Sequence, residues 1–281
     1  MMNPAFWRRF RRNKGAVAGL AVLVMVALLA LVGPLLTPND PWSMVEQPFL
    51  PPFTGEGVAM GTDTLGRDIL AGIVHGARIS LLIGIVSTVA SLLVGVTLGA
   101  VAGYFGGWVD AVLMRFTELF QAVPSFALAI VLVAIFEPSV GSTVSAIAIV
   151  SWPPVARLVR SEFLTLRQRD FVNAALLAGQ SAPRIILTQI LPNAVSPIIV
   201  MASLMVATAI LLESSLSFLG LGDPNQMSWG YMVGSARTVL RQAWWMALFP
   251  GLAIVFTVLA LNLVGEGIND GLNARADGKG R

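Results

Sequence analysis

Side chains that could carry out covalent or metal chemistry are scarce in this sequence. His75 is the single histidine, cysteine is absent, and Lys14 and Lys279 are the only lysines. A nucleophile–base pair, a thiolate site or a histidine-rich metal site therefore has few residues to draw on. Neither lysine follows a GxxxxGKS or GxxxxGKT loop, and GxSxG, HExxH and CxxC motifs are absent. The sequence predicts a non-enzymatic chain with no catalytic residues, no metal site and no phosphate loop for ATP.

Two glutamates beside apolar runs are the remaining candidates for proton or ion chemistry. Glu118 lies three residues after Arg115, a spacing that lets the two side chains pair on one helical face. Glu213 ends the apolar run that follows Pro192, so we predict a hydrated carboxylate at a helix end, with a gate-lining role as the alternative. Ion-coupled transporters and many channels place carboxylates at mid-membrane. An ion-coupled secondary transporter or channel is therefore the less favoured reading.

The composition is that of an integral membrane protein. Of 281 residues, 56% are hydrophobic and 12% charged, and the mean hydropathy is +0.79. Soluble domains carry about 25% charged residues. The net charge of +3 and the pI near 9.9 indicate basic residues in loops on the cytoplasmic side rather than a nucleic-acid surface.

Runs without charged residues locate the membrane spans, because a charge at mid-bilayer is costly and about 20 apolar residues cross the hydrocarbon. Six such runs predict an all-α membrane fold: 15–39, 79–109, 119–136, 138–156, 185–212 and 242–265. The first follows WRRFRRNK but is too long for the apolar part of a signal peptide, so we predict a retained anchor.

Lysine and arginine positions predict the orientation. With a cytoplasmic N-terminus, fourteen of the 18 basic residues lie inside, and the four outside are Arg67, Arg78, Arg237 and Arg241. Both termini are then cytoplasmic. The predicted segments are a basic N-terminus (1–14), a first transmembrane helix (15–36), an extracytoplasmic loop (37–78), a five-helix core (79–268) and a cytoplasmic tail (269–281). The core contains a cytoplasmic loop (157–192) and an outer loop (214–241).

Two further patterns concern packing. Small residues recur every four positions in the second span and form a stripe that another helix backbone can approach: Ser87, Ser91, Gly95, Gly99 and Gly103. The partner helix could belong to this chain or to another subunit. The prolines of loop 37–78 predict an extended segment with few hydrogen bonds (Pro38, Pro41, Pro48, Pro51 and Pro52). Four tryptophans near span ends are predicted to lie at the membrane interface: Trp152, Trp229, Trp244 and Trp245.

A polar stretch, RDFVNAALLAGQSAPRIILTQILPNAVSP (169–197), interrupts the apolar chain on the predicted cytoplasmic side. Residues 171–178 predict a helix that ends at Gly179 in a left-handed conformation. Ser181 can cap a second helix, which tolerates Pro183 in its first turn and ends at Pro192. In that second helix, apolar residues four apart make one face apolar: Ile186 with Ile190 and Leu187 with Leu191.

Small side chains in this stretch favour a docking surface. Ala174, Ala175 and Gly179 leave room for another protein to approach closely. A helix-turn-helix DNA reader has a similar outline but lacks base-reading side chains here. A plain loop would explain the length but not the combination of small residues, glycine and capping pattern.

The stretch resembles the EAA loop of bacterial ABC importer permeases. The matching residues are Asn173-Ala174-Ala175, Gly179 and Gln189-Ile190-Leu191-Pro192-Asn193. The resemblance implies a coupling helix that enters a groove of a cytoplasmic ATPase subunit. Asn173 replaces the usual Glu and Gln189 the usual Ile; Asp170 is a candidate to supply the missing charge. The implied coupling residues are Asp170, Asn173, Ala174, Ala175, Gly179, Ser181, Pro183, Arg184 and Pro192.

Matches in order along almost the whole chain extend the resemblance to the C-type permease subunit of dipeptide and oligopeptide importers. They include GTDTLGRDIL, GARISLLIG, AGYFGGWVD, SFLGLG, SWG and FPGLAIVFTVLALNLVGEGIND. This resemblance implies the type I ABC importer permease fold with six membrane helices, in the bacterial inner membrane. It also implies a homologous second permease subunit, an extracytoplasmic binding protein and two ATPase subunits that bind ATP and Mg²⁺. The family includes nickel, haem and glutathione importers, so the solute stays open, as do the substrate-binding residues.

The loop before the second span is the predicted contact with the second permease or the binding protein. Its residues are Gly61, Thr62, Asp63, Gly66, Arg67 and Asp68. The alternative is a self-contained turn with local pairing of Asp and Arg.

Overall fold

A computed structural model describes residues 4–37, 40–55 and 57–277. Pro38, Lys279, Arg281 and the side chain of Arg275, which entered the loop and topology predictions, lie outside the described part of the chain. The helices are α1 (Pro4–Arg12), α2 (Lys14–Leu36), α3 (Ile69–Phe105), α4 (Gly107–Ala122), α5 (Ser125–Phe136), α6 (Val140–Leu166), α7 (Asp170–Leu177), α8 (Ala182–Arg184), α9 (Leu191–Phe218), α10 (Trp229–Ala236) and α11 (Trp245–Asp277), with a π-helical stretch (Ile185–Ile190) joining α8 to α9.

Among the described residues, five helical segments are long and apolar enough to cross a membrane: α2, α3, α6, the continuous run from α8 through α9, and α11. α4 and α5 make a sixth candidate span that is bent by 80°. The bend has a local cause, because Val123 precedes Pro124 and takes the extended conformation that this position favours, with φ −96° and ψ 133°. The all-α fold is confirmed, and its third candidate span is a helix pair broken at Val123 and Pro124.

Several helix ends differ from the charge-free runs. α3 begins at Ile69 rather than at residue 79, because its first turns are buried by protein instead of lipid and can carry polar residues. One of these, His75, contacts Thr37 at the end of α2, with 3.3 Å between Nε2 and Oγ1. α9 continues to Phe218, α10 lies inside the predicted loop 214–241, and α11 extends through much of the predicted tail.

The stripe of small residues on α3 faces α6 of the same chain. Ser87, Ser91, Gly95, Gly99 and Gly103 are all buried. Any side chain on the three glycines would collide with α6: a Cβ atom on Gly95 would come within 2.8 Å of the Trp152 carbonyl oxygen, and one on Gly103 within 2.8 Å of the Arg160 carbonyl oxygen. The two helix backbones therefore approach as closely as glycine allows, and this contact forms the centre of the bundle.

The tryptophans do not form the predicted interfacial belt. Trp244 is exposed, but the other three are buried: Trp152, Trp229 and Trp245. Trp229 donates from its backbone N to Ser80 Oγ at 3.0 Å and from Nε1 to the Ile73 carbonyl oxygen at 2.9 Å. Both acceptors lie on α3, so this indole fastens α10 to α3. The prediction from the span ends was wrong because tertiary packing, not lipid, surrounds these rings.

Candidate functional site

α7 presents two faces with different surroundings. Val172 and Ala175 are buried in an apolar cluster that also contains Val159 and Phe163 of α6 and Ile190 of the π-helical stretch. The cluster extends to residues of α3 and α9. Because packed interiors are dense, we expect a displacement of α7 to reach the ends of α3, α6 and α9. α7 is thus mechanically joined to the helices of the bundle.

The opposite face of α7 is exposed and partly apolar. Asp170, Asn173 and Ala174 are exposed there, whereas Ala175, which we also predicted to lie on the docking surface, is buried because it faces the bundle. Leu177 lies on this face and is 91% exposed, while Leu176, four residues after Val172, lies at the edge of the buried face and is 50% exposed. Sequence reasoning missed the two leucines; their position directly after the Ala174–Ala175 pair was the available signal. Leu177 and Ala174 give this face a small apolar surface beside Asp170 and Asn173.

Gly179 makes the turn after α7. It has φ +73°, and a Cβ atom there would meet nothing within 4 Å, so the backbone conformation rather than crowding favours glycine. The Gln180 backbone N donates to the Ala175 carbonyl oxygen at 3.1 Å, which closes the helix end. Ser181 precedes α8, yet its hydroxyl makes no capping hydrogen bond, and Pro183 lies in the first turn.

The segment after Arg184 is not the amphipathic α-helix that we predicted. It is π-helical, so Ile185 and Ile190, five residues apart, are the fully buried pair, whereas Leu187 is exposed. Pro192 does not end the helix; it lies in the first turn of α9. Pro192 has no backbone N–H to donate, and the wider π turn before it tolerates this lost hydrogen bond. The Gln189 carbonyl oxygen instead accepts from Asn193 Nδ2 at 2.7 Å. Two of the predicted coupling residues, Arg184 and Pro192, therefore lie on opposite sides of the π-helical stretch.

An ion pair at the same end of the bundle joins α4 to α6. Arg160 donates through Nε and Nη2 to the two carboxylate oxygens of Asp110, and the side chains are 34% and 16% exposed. Such two-pronged contacts hold a carboxylate in a fixed orientation. Sequence reasoning counted Arg160 for the orientation of the chain but missed this pair, because its members are 50 residues apart.

Breaking this pair is expected to destabilise the protein moderately. We expect Arg160→Gln to lower the free energy of unfolding by about 1–2 kcal/mol, since a half-buried carboxylate loses its charged donor. Arg115→Gln is the matched control, because the predicted Arg115–Glu118 pair is present at 3.1 Å but its side chains are 81% and 61% exposed. Loss of that pair should change stability by less than about 0.5 kcal/mol in thermal unfolding. Equal losses for both variants would contradict a special role for Arg160.

The loop before α3 is well hydrogen-bonded, contrary to the prediction of an extended segment. Thr62 is fully buried; its Oγ1 donates to the Gln47 carbonyl oxygen at 2.6 Å and accepts from the Leu50 N at 2.9 Å. The Thr62 carbonyl oxygen also accepts from Trp245 Nε1 at 3.1 Å. The proline-based prediction failed because the hydrogen bonds come from residues between the prolines and from α11.

The other predicted contact residues of this loop also interact within the chain. Asp63 Oδ1 accepts from the Arg67 backbone N at 2.9 Å, and the two side chains form an ion pair at 3.8 Å. Asp68 caps α3 by accepting from the Leu70 N at 2.9 Å. The two remaining members have positive φ, +80° each: Gly61 and Gly66. This is the local pairing that the alternative reading described.

Glu213 is not the hydrated helix end that we predicted. It is 2% exposed and accepts hydrogen bonds from Ser217 Oγ at 2.8 Å and Ser228 Oγ at 2.7 Å, with Ser214 Oγ at 3.4 Å. Ser228 also accepts from the Tyr231 N at 3.0 Å and so caps α10. The carboxylate is covered because α10 folds back onto α9. Its serine cluster, Glu213 with Ser214, Ser217 and Ser228, fastens the two helices together.

Comparison with known proteins gives two family matches. Residues 95–278 match the model of the binding-protein-dependent transport system inner membrane component, and residues 5–52 match the N-terminal TM domain of oligopeptide transport permease C. The chain is 43% identical over 276 residues to the di/tripeptide transport system permease protein DppC of Pseudomonas aeruginosa, covering 96% of this chain and 91% of that one.

Further relatives and one solved structure agree with these matches. The dipeptide transport system permease protein DppC of Escherichia coli is 44% identical (96% of this chain, 92% of that one). The glutathione transport system permease protein GsiD of Pectobacterium atrosepticum is 41% identical (96% and 90%). An inward-facing structure of the MetNI methionine ABC transporter has a TM-score of 0.59 at 14% identity, covering 69% of this chain and 93% of that one. That likeness bears on the fold alone.

Proposed function

The chain belongs to the family of binding-protein-dependent transport system inner membrane components, and from this premise we propose that it conducts di- or tripeptides across the inner membrane. It is a multi-pass membrane permease subunit of an ABC importer. The names of the Pseudomonas and Escherichia relatives support dipeptides or tripeptides as the solute. The glutathione permease relative favours a second candidate, another small peptide-like solute.

In the proposed importer this chain forms half of the pore. A homologous second permease subunit forms the other half, and an extracytoplasmic binding protein delivers the solute near the loop around Arg67. Two ATPase subunits bind ATP and Mg²⁺ and hydrolyse the ATP, while this chain binds no cofactor and catalyses no reaction. The excess of arginine and lysine near both termini supports cytoplasmic termini, which places α7 on the side of the ATPases.

The two-faced environment of α7 carries the proposal. Its exposed face, with Asp170, Asn173 and Leu177, enters a groove of the ATPase, and its buried face lies in the apolar cluster shared with α3, α6 and α9. ATP-driven closure of the ATPases therefore moves α7, and α7 moves the ends of the spans. Asp170 lies three residues before Asn173 on the exposed face, where it supplies the charge that Asn173 lacks.

Leu177→Asp tests this coupling. A charged side chain at a leucine that becomes buried in an interface costs about 1–3 kcal/mol, so we expect roughly tenfold weaker association with the ATPase subunits. Co-purification and solute-stimulated ATP hydrolysis of the reconstituted complex measure the effect. Leu240→Asp is the control, because Leu240 is also exposed but lies in the segment between α10 and α11. Unchanged ATPase association in Leu177→Asp, or uptake by this chain alone in liposomes, would refute the proposal.

Solute identity requires a separate measurement on the complex. Uptake into proteoliposomes should be compared for dipeptides, tripeptides, longer peptides, glutathione, haem and nickel chelates, with the binding protein present. We expect dipeptides or tripeptides to be taken up best. Preference for glutathione would select the second candidate, and exclusive uptake of a metal chelate or of haem would overturn the assignment to peptides.

A further inference from the structure

α1 is held against the protein by its apolar face. Phe6 and Phe10 are buried and pack with Ile268 and Leu272 of α11. Two glycines of α11 make room for the rings: a Cβ atom on Gly271 would come within 2.5 Å of Phe6, and one on Gly267 within 3.0 Å of Phe10. The N-terminal helix is therefore a docked element of the bundle rather than a free basic tail.

The order of these contacts fixes the direction of α1. Moving from Phe6 to Phe10 along α1 corresponds to moving from Gly271 back to Gly267 along α11, so the two helices are antiparallel. α2 continues along α11 in the same direction. Its Gly19 packs against Ala260 so closely that a Cβ atom on the glycine would be 2.8 Å from the Ala260 carbonyl oxygen. α1 thus runs alongside α11 at the end of the candidate span Trp245–Leu272. The face of α1 opposite Phe6 and Phe10 must point sideways, away from the bundle.

That outward face is basic. Arg8, Arg11 and Arg12 are exposed and are spaced three and four residues apart, opposite the phenylalanines on a 3.6-residue helix. The ion pairs of the described residues, Asp63–Arg67, Arg115–Glu118 and Asp110–Arg160, do not involve them. A nearby carboxylate, Asp270, accepts a hydrogen bond from Asn13 Nδ2 at 3.0 Å. The outward arginines are therefore not neutralised by an ion pair among the described residues, and they can attract a negatively charged molecule.

The position of α1 matches the depth of lipid headgroups. It lies directly before the first span and beside the end of the last, where the headgroup layer begins. Trp7 is partly exposed on the flank of the helix, and tryptophan at this depth is typical of membrane interfaces. Guanidinium groups bind phosphate oxygens through paired hydrogen bonds, and clusters of basic residues beside a membrane helix attract anionic lipids.

We propose that Arg8, Arg11 and Arg12 bind the phosphate groups of anionic phospholipids, so that α1 anchors the α2–α11 pair in the headgroup layer. This inference rests on the membrane placement of the chain and not on the proposed peptide solute or on ATPase coupling. Anionic lipid then stabilises the contact of α1 and α2 with α11, and removal of that lipid loosens this side of the bundle.

The test uses the complete importer complex in nanodiscs of phosphatidylcholine, with and without phosphatidylglycerol. Native mass spectrometry measures retained phosphatidylglycerol, and thermal unfolding measures the stabilisation that it provides. Each arginine near an anionic surface contributes about fivefold in affinity, so Arg8→Gln, Arg11→Gln and Arg12→Gln together are expected to weaken retention on the order of a hundredfold. Lysine at the same positions should restore most of it, because the charge is kept.

The matched control removes three exposed arginines from other elements: Arg115→Gln, Arg157→Gln and Arg241→Gln. We expect it to retain phosphatidylglycerol like the wild type. Undiminished retention in the α1 variant, or an equal loss in the control, would overturn the inference. Stabilisation by inorganic phosphate in pure phosphatidylcholine would identify a free anion instead of a lipid, and loss of ATPase subunits from the α1 variant in detergent would identify a protein contact. ATPase coupling in phosphatidylcholine alone is scored separately and should be unchanged by the α1 variant.

Discussion

Gly99→Val is expected to disrupt the centre of the bundle and lower the free energy of unfolding by about 3 kcal/mol, the upper end of typical overpacking costs. A Cβ atom at Gly99 would overlap the Ala156 carbonyl oxygen and lie 2.8 Å from Val159 Cβ. The carbonyl belongs to the backbone of α6 and cannot rotate away as a side chain could. The two helices must therefore separate, which also opens the packing around neighbouring Gly95 and Gly103.

Gly251→Ala is the matched control for this prediction. Gly251 lies in α11, and a Cβ atom there would meet nothing within 4 Å. Because alanine favours helix over glycine, we expect Gly251→Ala to be neutral or slightly stabilising. Thermal unfolding of both variants in the same detergent, followed by circular dichroism, gives the comparison. If Gly99→Val unfolds at the wild-type temperature, α3 and α6 do not pack as closely as described.

One segment of α6 connects this packing to the proposed coupling site. Residues 155–163 of α6 contact the glycines of α3, hold Asp110 of α4 through Arg160, and supply Val155, Val159 and Phe163 to the cluster around α7. The residues of α6 that pack against α7 therefore belong to the same segment that contacts α3 and α4. Because these contacts are dense and partly backbone to backbone, we expect the segment to move as a unit if α7 is displaced.

Sequence reasoning succeeded where a local rule decides the structure. The charge-free runs located the spans because lipid excludes charge, and Gly179 was predicted to be left-handed because few other residues adopt that conformation. The spacing of small residues identified the buried face of α3, but only the structure showed that the partner helix is α6 of the same chain. Helix ends shifted wherever protein replaced lipid as the surroundings, as at Ile69.

The features that sequence reasoning missed depend on contacts between distant segments. Glu213 appeared to end a span, and only the return of α10 buries it beneath Ser228. The π-helical stretch changed the buried pair from residues four apart to Ile185 and Ile190, five apart. Neither feature has a local signature in the sequence, because each is set by packing between segments that are distant along the chain.

Ser228→Ala is expected to release α10 from α9. The change removes a short hydrogen bond to the buried Glu213 carboxylate, 2.7 Å between oxygens, and also the capping oxygen that accepts from the Tyr231 N. A buried polar group that loses its hydrogen-bond partner costs about 1–3 kcal/mol and a lost cap about 1 kcal/mol, so we expect a loss of roughly 3 kcal/mol in the free energy of unfolding. Ser235→Ala on the same helix is the control, because among the described residues Ser235 Oγ donates only to the Met232 carbonyl oxygen, within α10.

Two changes at Glu213 separate the role of the carboxylate from that of the helix cap. Glu213→Ala leaves the Ser217 and Ser228 hydroxyls without their acceptor and opens a void beside Gly230, so its loss of stability should match or exceed that of Ser228→Ala. Glu213→Gln keeps the length of the side chain and one accepting oxygen, and should lose less. Hydrogen exchange of α10 reports the release directly: its amides should exchange faster in Ser228→Ala and Glu213→Ala, but not in Ser235→Ala. Wild-type protection of α10 in Glu213→Ala would show that other contacts, among them the bonds of Trp229 to α3 and the packing of Gly234 on α9, hold the helix in place.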